Sequence, residues 1–109
     1  MYKQLAAYSA ALIATEQKYI PLFALGSDSP IWGLTRDGQP MYRLLRSAHK
    51  LSIVGAMRCA NDELLAGTKA YNNLDRLVRH TALTLYGRQY LSDLSWSEAY
   101  SVLITVARG

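Results

Sequence analysis

Apolar residues recur at helical spacing along most of this chain, and polar punctuation divides the pattern into four stretches. Tyr2, Leu5, Ala6, Leu12 and Ile13 share one face of a helix expected over about residues 2–19, with Pro21 restricting its continuation. GSDSPIWGLTRDGQP, residues 26–40, concentrates Gly, Pro, Asp and Ser and reads as the one long loop. A loop of that length needs anchoring, and Ile31 and Trp32 are expected to fold back onto the core.

A second helix is expected to begin at Pro40 or Met41, since proline suits the first helical position, and to run to Ala66 with Gly67 as its left-handed terminator. On a helical wheel Met41, Leu45, Ala48, Ser52, Ala56 and Cys59 form the inward face, with His49 close to it and Glu63 on the same face near the end. Arg43, Arg46 and Lys50 form a separate stripe at spacings of three and four. SIVGAMRCA carries few charges on any side, as a central helix would.

The third helix is expected from about Lys69 to Tyr90, capped by Thr68, with Tyr71, Leu74, Leu77, Val78, Thr81 and Leu85 inward. The fourth is announced by SWSE, in which Ser95 and Glu98 have capping-box spacing. SVLITVA is dense enough in β-branched residues to suit a strand as well, but a lone strand has no evident partner, so helix is the expectation. The predicted architecture is an all-α, compact bundle of four to five helices in a single domain spanning residues 1–109.

Composition fits that picture: half of the 109 residues are apolar and 18% are charged, which suits a folded chain rather than a disordered one. The single cysteine, Cys59, has no internal disulfide partner, which favours a reducing compartment. Lys3 followed by LAAYSAALIA has a passing look of a signal peptide, but Tyr8 and Ser9 interrupt the apolar run and an amphipathic helix fits better. The apolar runs fall far short of the roughly 20 residues that span a bilayer, so a cytoplasmic protein with no membrane partner is expected.

Net charge is +4, and its location says more than its size. Residues 1–35 and 59–109 each balance to zero, while residues 36–58 hold Arg36, Arg43, Arg46, Lys50 and Arg58 against Asp37 alone. A whole charge excess confined to one stretch suggests an anionic partner. Arg36, Arg43, Arg46 and Lys50 are therefore the candidate contacts to a nucleic-acid backbone, because cations at these spacings can track phosphates without reading bases.

No catalytic constellation accompanies this charge. The sequence has no HxxxH, HExxH or CxxC spacing, no calcium-loop pattern and no glycine-rich phosphate cradle, so neither a metal nor a cofactor is expected. Cys59 reads as a small buried residue rather than a nucleophile, because nothing local would lower its pKa. The expectation is a protein that is not an enzyme.

The far face of the third helix interleaves Arg76 and Arg79 with Leu83, Tyr86 and Tyr90, a mixture unsuited to plain solvent exposure. Another helix of the bundle, a protein partner or second copy, or bases stacked on tyrosines beside arginine–phosphate contacts would each cover it. The corner ELLAGTKAYNNLDRLVRH invites comparison with the helix-turn-helix family, whose turn glycine is followed by buried apolar positions. Counting from Gly67, those positions hold Thr68, Asn73 and Arg76, so the code fails and RNA or single-stranded DNA is a better candidate than specific duplex DNA. In size and class alone the chain is similar to small accessory subunits of RNA-guided and other nucleic-acid-handling machines, and equally to small phage- or plasmid-type inhibitors and adaptors that bind a host protein. The leading expectation is a non-enzymatic binding or assembly subunit that contacts nucleic-acid backbone within a larger complex.

Overall fold

The computed structural model describes residues 1–24, 26 and 29–109. The part of the expected loop at residues 27 and 28 lies outside the described residues. Four α-helices, α1 (Tyr2–Leu12), α2 (Ile53–Glu63), α3 (Thr68–Tyr86) and α4 (Trp96–Arg108), carry the core. Three two-residue strands, β1 (Gly33–Leu34), β2 (Pro40–Met41) and β3 (Lys50–Leu51), form a small antiparallel sheet in the order β2-β1-β3. The all-α expectation thus holds for the core and not for residues 33–51, and a fifth α-helix is absent among the described residues.

The first helix ends at Leu12, well short of Tyr19. Residues 14–18 carry no large apolar side chain and are all exposed, so helical continuation would bury nothing. Trp96 instead donates its indole N–H to the Ile13 carbonyl at 2.7 Å, which satisfies an end-of-helix acceptor from the other end of the chain. The α1 face that packs on α4 and α2 is made of Leu5, Ala6, Ser9 and Ala10, whose small members permit close approach. Buried Ser9 is satisfied by donating to the Leu5 carbonyl at 2.7 Å.

The second helix begins twelve residues later than Met41, at Ile53. Gly33 pairs with Met41 on one side and Leu51 on the other, and Leu34 pairs with Pro40 and Lys50, so strand pairing claims residues that helical spacing had claimed. Pro40 is tolerated because β2 is an edge strand. Leu44 adopts a left-handed conformation, φ 54°, and leads into a single 3-10 turn, Leu45–Ser47. Ser52, expected on an inward helical face, is the N-cap: its hydroxyl accepts from the Gly55 N–H at 3.1 Å.

Gly67 is not the left-handed terminator of α2. Leu65, φ 52°, fills that role, while Gly67, at φ 88° and ψ 177°, is the N-cap of α3 and Thr68 its first residue. The Asn61 side-chain amide donates to the Gly67 carbonyl at 3.1 Å and ties the two helices at this corner. α3 stops at Tyr86, four residues before Tyr90, because Gly87 turns left-handed and its N–H closes onto the Leu83 carbonyl at 2.9 Å. Tyr71, Leu74 and Val78 are buried as expected and Leu77 and Thr81 are half-buried, but Leu85 is exposed and Ala82 fills the last inward position.

The capping box forms as its spacing implies. Ser95 N–H donates to the Glu98 carboxylate at 3.0 Å and Glu98 N–H to the Ser95 hydroxyl at 3.3 Å. SVLITVA is helical, with Val102, Leu103 and Val106 buried against α1 and α3. Tyr19 sits between the sheet and the bundle: it bridges to Leu51, and its buried hydroxyl donates to the Leu94 carbonyl at 2.8 Å. No described helix is long and apolar enough to cross a membrane.

Candidate nucleic-acid interface

The stripe of Arg43, Arg46 and Lys50 does not exist as a helical face. Arg43 lies in a bend beside Tyr42, Arg46 in the 3-10 turn, and Lys50 in β3. Arg36 stands exposed in the turn from β1 to β2, next to Asp37, whose carboxyl is held below its usual range by the Thr35 hydroxyl 2.6 Å away. Arg46 and Lys50 do come together, with Lys18 and His49, around a recess of about 180 Å³ floored by Leu12, Leu45 and Leu51. His49 is exposed rather than inward, and Glu63, also expected inward, is exposed and pairs with Arg46 at 3.4 Å.

A larger cleft of about 480 Å³ lies between the loop before β1, α2, α3 and the segment after α3. Its walls include Phe23, Trp32, Arg58, Tyr71, Arg79 and Tyr90. Trp32 is placed by its own backbone: its carbonyl accepts from the Ser52 N–H at 3.0 Å and the Ser52 hydroxyl at 3.3 Å at the start of α2. Gly55 makes that approach possible, since a Cβ there would overlap the Trp32 carbonyl oxygen. One helical turn beyond, the Arg58 guanidinium lies 5.0 Å from the Trp32 ring centroid and 4.0 Å from that of Tyr71. Arg58 also hydrogen-bonds the Tyr71 side chain, and a guanidinium held between two rings has five N–H donors, so others remain for an anion. Tyr42 braces the far side of Trp32 edge-on, with centroids 5.7 Å apart and planes at 66°.

Charge in this cleft is mixed, with cations in excess. Asp75 pairs with Arg79 at 2.9 Å along α3, and Arg58 has no carboxylate partner among the described residues. Burial pushes the Tyr71 phenol above its usual pKa, with the Arg58 charge opposing, so this ring is a neutral wall under a cation. Phe23 and Tyr90 are 43% and 63% exposed and offer flat apolar surface at the rim.

Of the residues expected on the outer face of α3, Arg79 and Tyr90 join this cleft. Arg76 does not: it donates to the Asn73 side chain at 2.7 Å and lines a shallow crease beside Met1 and Lys69. Leu83 and Tyr86 are 50% and 38% exposed, so no helix of the bundle covers that end of α3. Cys59 is buried, and its thiol is pushed up first by burial and then by Glu63 and Asp62, the environment of a packing residue rather than an activated thiolate.

Helical periodicity overlooked Phe23, Trp32 and Arg58 as site residues and took Tyr71 for core alone. The available signal was Arg58, the fifth cation of the acid-poor stretch, together with a tryptophan in a polar loop. Lys18, which completes the smaller recess, lies outside any helical register with Arg46, and helical periodicity places His49, three residues after Arg46, near the inward face. Comparison with known protein families, curated proteins and solved structures gives no match for this chain.

Proposed function

We propose that this protein is a non-enzymatic binding module for single-stranded nucleic acid, seating unpaired bases in the cleft formed by Trp32, Arg58, Tyr71 and Tyr90. The observation that carries the reading is the stacked guanidinium of Arg58, flanked by exposed aromatic surface at Phe23 and Tyr90 and by a second cation at Arg79. Flat apolar rims suit base faces, and cations within the same cleft suit the adjoining phosphates. A duplex keeps its bases stacked and away from such a cleft, which favours an unpaired strand. Arg36 and Arg43, scattered over neighbouring loops, add general attraction without forming a track.

Fluorescence anisotropy with labelled oligo-dT and oligo-U tests this. Base–aromatic stacking is worth about 1–3 kcal/mol per base, so Tyr90→Ala should weaken binding by roughly fivefold to 150-fold. Arg58→Gln should weaken binding and flatten the slope of log K against log salt by about 0.7 for one lost phosphate contact. Equal binding by the parent and both variants would overturn the proposal.

A second reading has its own observation. Leu83 and Tyr86, three residues apart on α3, are 50% and 38% exposed and share a face, a patch of the kind protein interfaces use. A subunit or inhibitor working through that patch would lose its protein complex on Leu83→Ser with Tyr86→Ser, while Tyr90→Ala would leave the complex intact.

A further inference from the structure

We infer that the recess between Lys18, Arg46, His49 and Lys50 is a second site, distinct from the aromatic cleft, that takes a phosphate group. Its cations come from three separate pieces of backbone: the 3-10 turn Glu16–Lys18, the 3-10 turn Leu45–Ser47 and β3. Hydrogen bonds hold those pieces in place before any ligand arrives. The Lys18 N–H bonds the Thr15 carbonyl at 3.0 Å, the Ile20 N–H bonds the Leu51 carbonyl at 3.0 Å, and the His49 N–H bonds the Leu34 carbonyl at 2.8 Å. With the backbone fixed in advance, binding has to order the side chains alone.

Lys18, Arg46 and Lys50 line one recess and repel one another, with water screening part of that repulsion because Lys18 and Arg46 are exposed. Among the described residues no carboxylate lines the recess, and the acid paired with one of its cations is Glu63, 3.4 Å from Arg46. A multiply charged oxyanion relieves this repulsion and accepts from the ammonium, guanidinium and imidazole donors together. Volume narrows the ligand further. About 180 Å³ is below the roughly 300–1,000 Å³ of sites for drug-sized molecules, yet holds several waters' worth of space at about 30 Å³ each. That is room for one tetrahedral oxyanion, either free or at the end of a larger molecule.

Amide NMR titration with inorganic phosphate, at constant ionic strength balanced by sodium chloride, tests this. Saturable shifts are expected at Lys18, Arg46, His49 and Lys50. The double variant Lys18→Gln, Lys50→Gln should weaken phosphate binding at least tenfold. Lys69→Gln with Arg76→Gln removes the same charge from the crease beside Met1 and should leave the affinity unchanged. Failure to saturate, or equal weakening by the two double variants, would overturn the inference. Competition then identifies the source of the phosphate: displacement by oligo-dT lacking a terminal phosphate places backbone diester in the recess, and displacement only by a 5′-phosphorylated mononucleotide places a monoester there. The readout is independent of the aromatic cleft, because Arg58→Gln should weaken oligonucleotide binding there and leave inorganic phosphate binding intact.

Discussion

Replacing Gly55 with alanine is a sharp test of how Trp32 is held. In an exposed helix the exchange stabilises by about 0.5–1 kcal/mol, because glycine loses more backbone entropy on folding. Here the added Cβ would overlap the Trp32 carbonyl oxygen and stand 2.6 Å from its carbonyl carbon, both backbone atoms that cannot rotate away. Overpacking of this kind typically costs about 1–3 kcal/mol. Withdrawal of the Trp32 peptide also strains the bonds from the Ser52 N–H and hydroxyl, 3.0 and 3.3 Å long, each worth about 0.5–1.5 kcal/mol net. After subtraction of the propensity gain, Gly55→Ala should destabilise by about 2–4 kcal/mol, a large share of the roughly 5–15 kcal/mol usual for a domain. Urea unfolding followed by circular dichroism measures it, with a midpoint fall of about 1–2 M at a slope near 2 kcal/mol/M. Ala7→Gly, on the exposed side of α1, supplies the sign that propensity alone gives, a loss of about 1 kcal/mol. A Gly55→Ala midpoint at or above the parent's would refute the claim that α2 and Trp32 are in backbone contact.

Three further outcomes follow from the packing. Burial, aided by the charge of Glu98, pushes the Tyr19 phenol up to about 12. The neutral form is therefore favoured in the fold, so its contribution is complete below the ordinary phenol pKa near 10 and declines above it, by roughly 1.4 kcal/mol at pH 11. Tyr19→Phe should cost about 1 kcal/mol at pH 7, and the gap should close as unfolding is repeated from pH 9 to 11. Leu65 is 90% exposed at φ 52°, so Leu65→Gly should raise stability by about 0.5–1 kcal/mol in the same urea assay. Ser95→Ala should cost about 1 kcal/mol through loss of the α4 cap, measured by thermal unfolding at neutral pH. Acid releases the same cap: the Ser95 N–H holds the Glu98 carboxyl below its usual range, so its contribution is complete above that range and is lost as the pH falls through the lowered value.

Local rules were legible wherever the local sequence alone decides the structure. Ser95 and Glu98 sit three residues apart and bond each other's N–H groups as that spacing implies, with Arg88 adding an ion pair to Glu98 at 3.3 Å. Residues 41–51 show the opposite case. Their apolar spacing satisfies a helix, yet Gly33, distant in sequence, offers a backbone ladder to Met41 and Leu51, and that pairing prevails. Gly67 marked the corner correctly while its role there fell to Leu65, because the left-handed residue that ends α2 comes two positions earlier than composition suggested. The cleft was only half legible for a related reason. Arg79 and Tyr90 stood out as an odd outer face, but Phe23, Trp32, Arg58 and Tyr71 reach them by way of three different chain segments. Arg58 could be counted as a cation from sequence; that two rings hold it is a tertiary fact.

The most direct measurement is a 1H–15N NMR titration with a short single-stranded oligonucleotide, following the two tryptophan indole signals. Trp96 is internally bonded to the Ile13 carbonyl at 2.7 Å and should keep its position. Trp32, half-buried at the cleft beside Arg58, should shift saturably, together with the Tyr90 amide. Shifts confined to other surfaces, or an unmoved Trp32 signal at saturating oligonucleotide, would contradict the account.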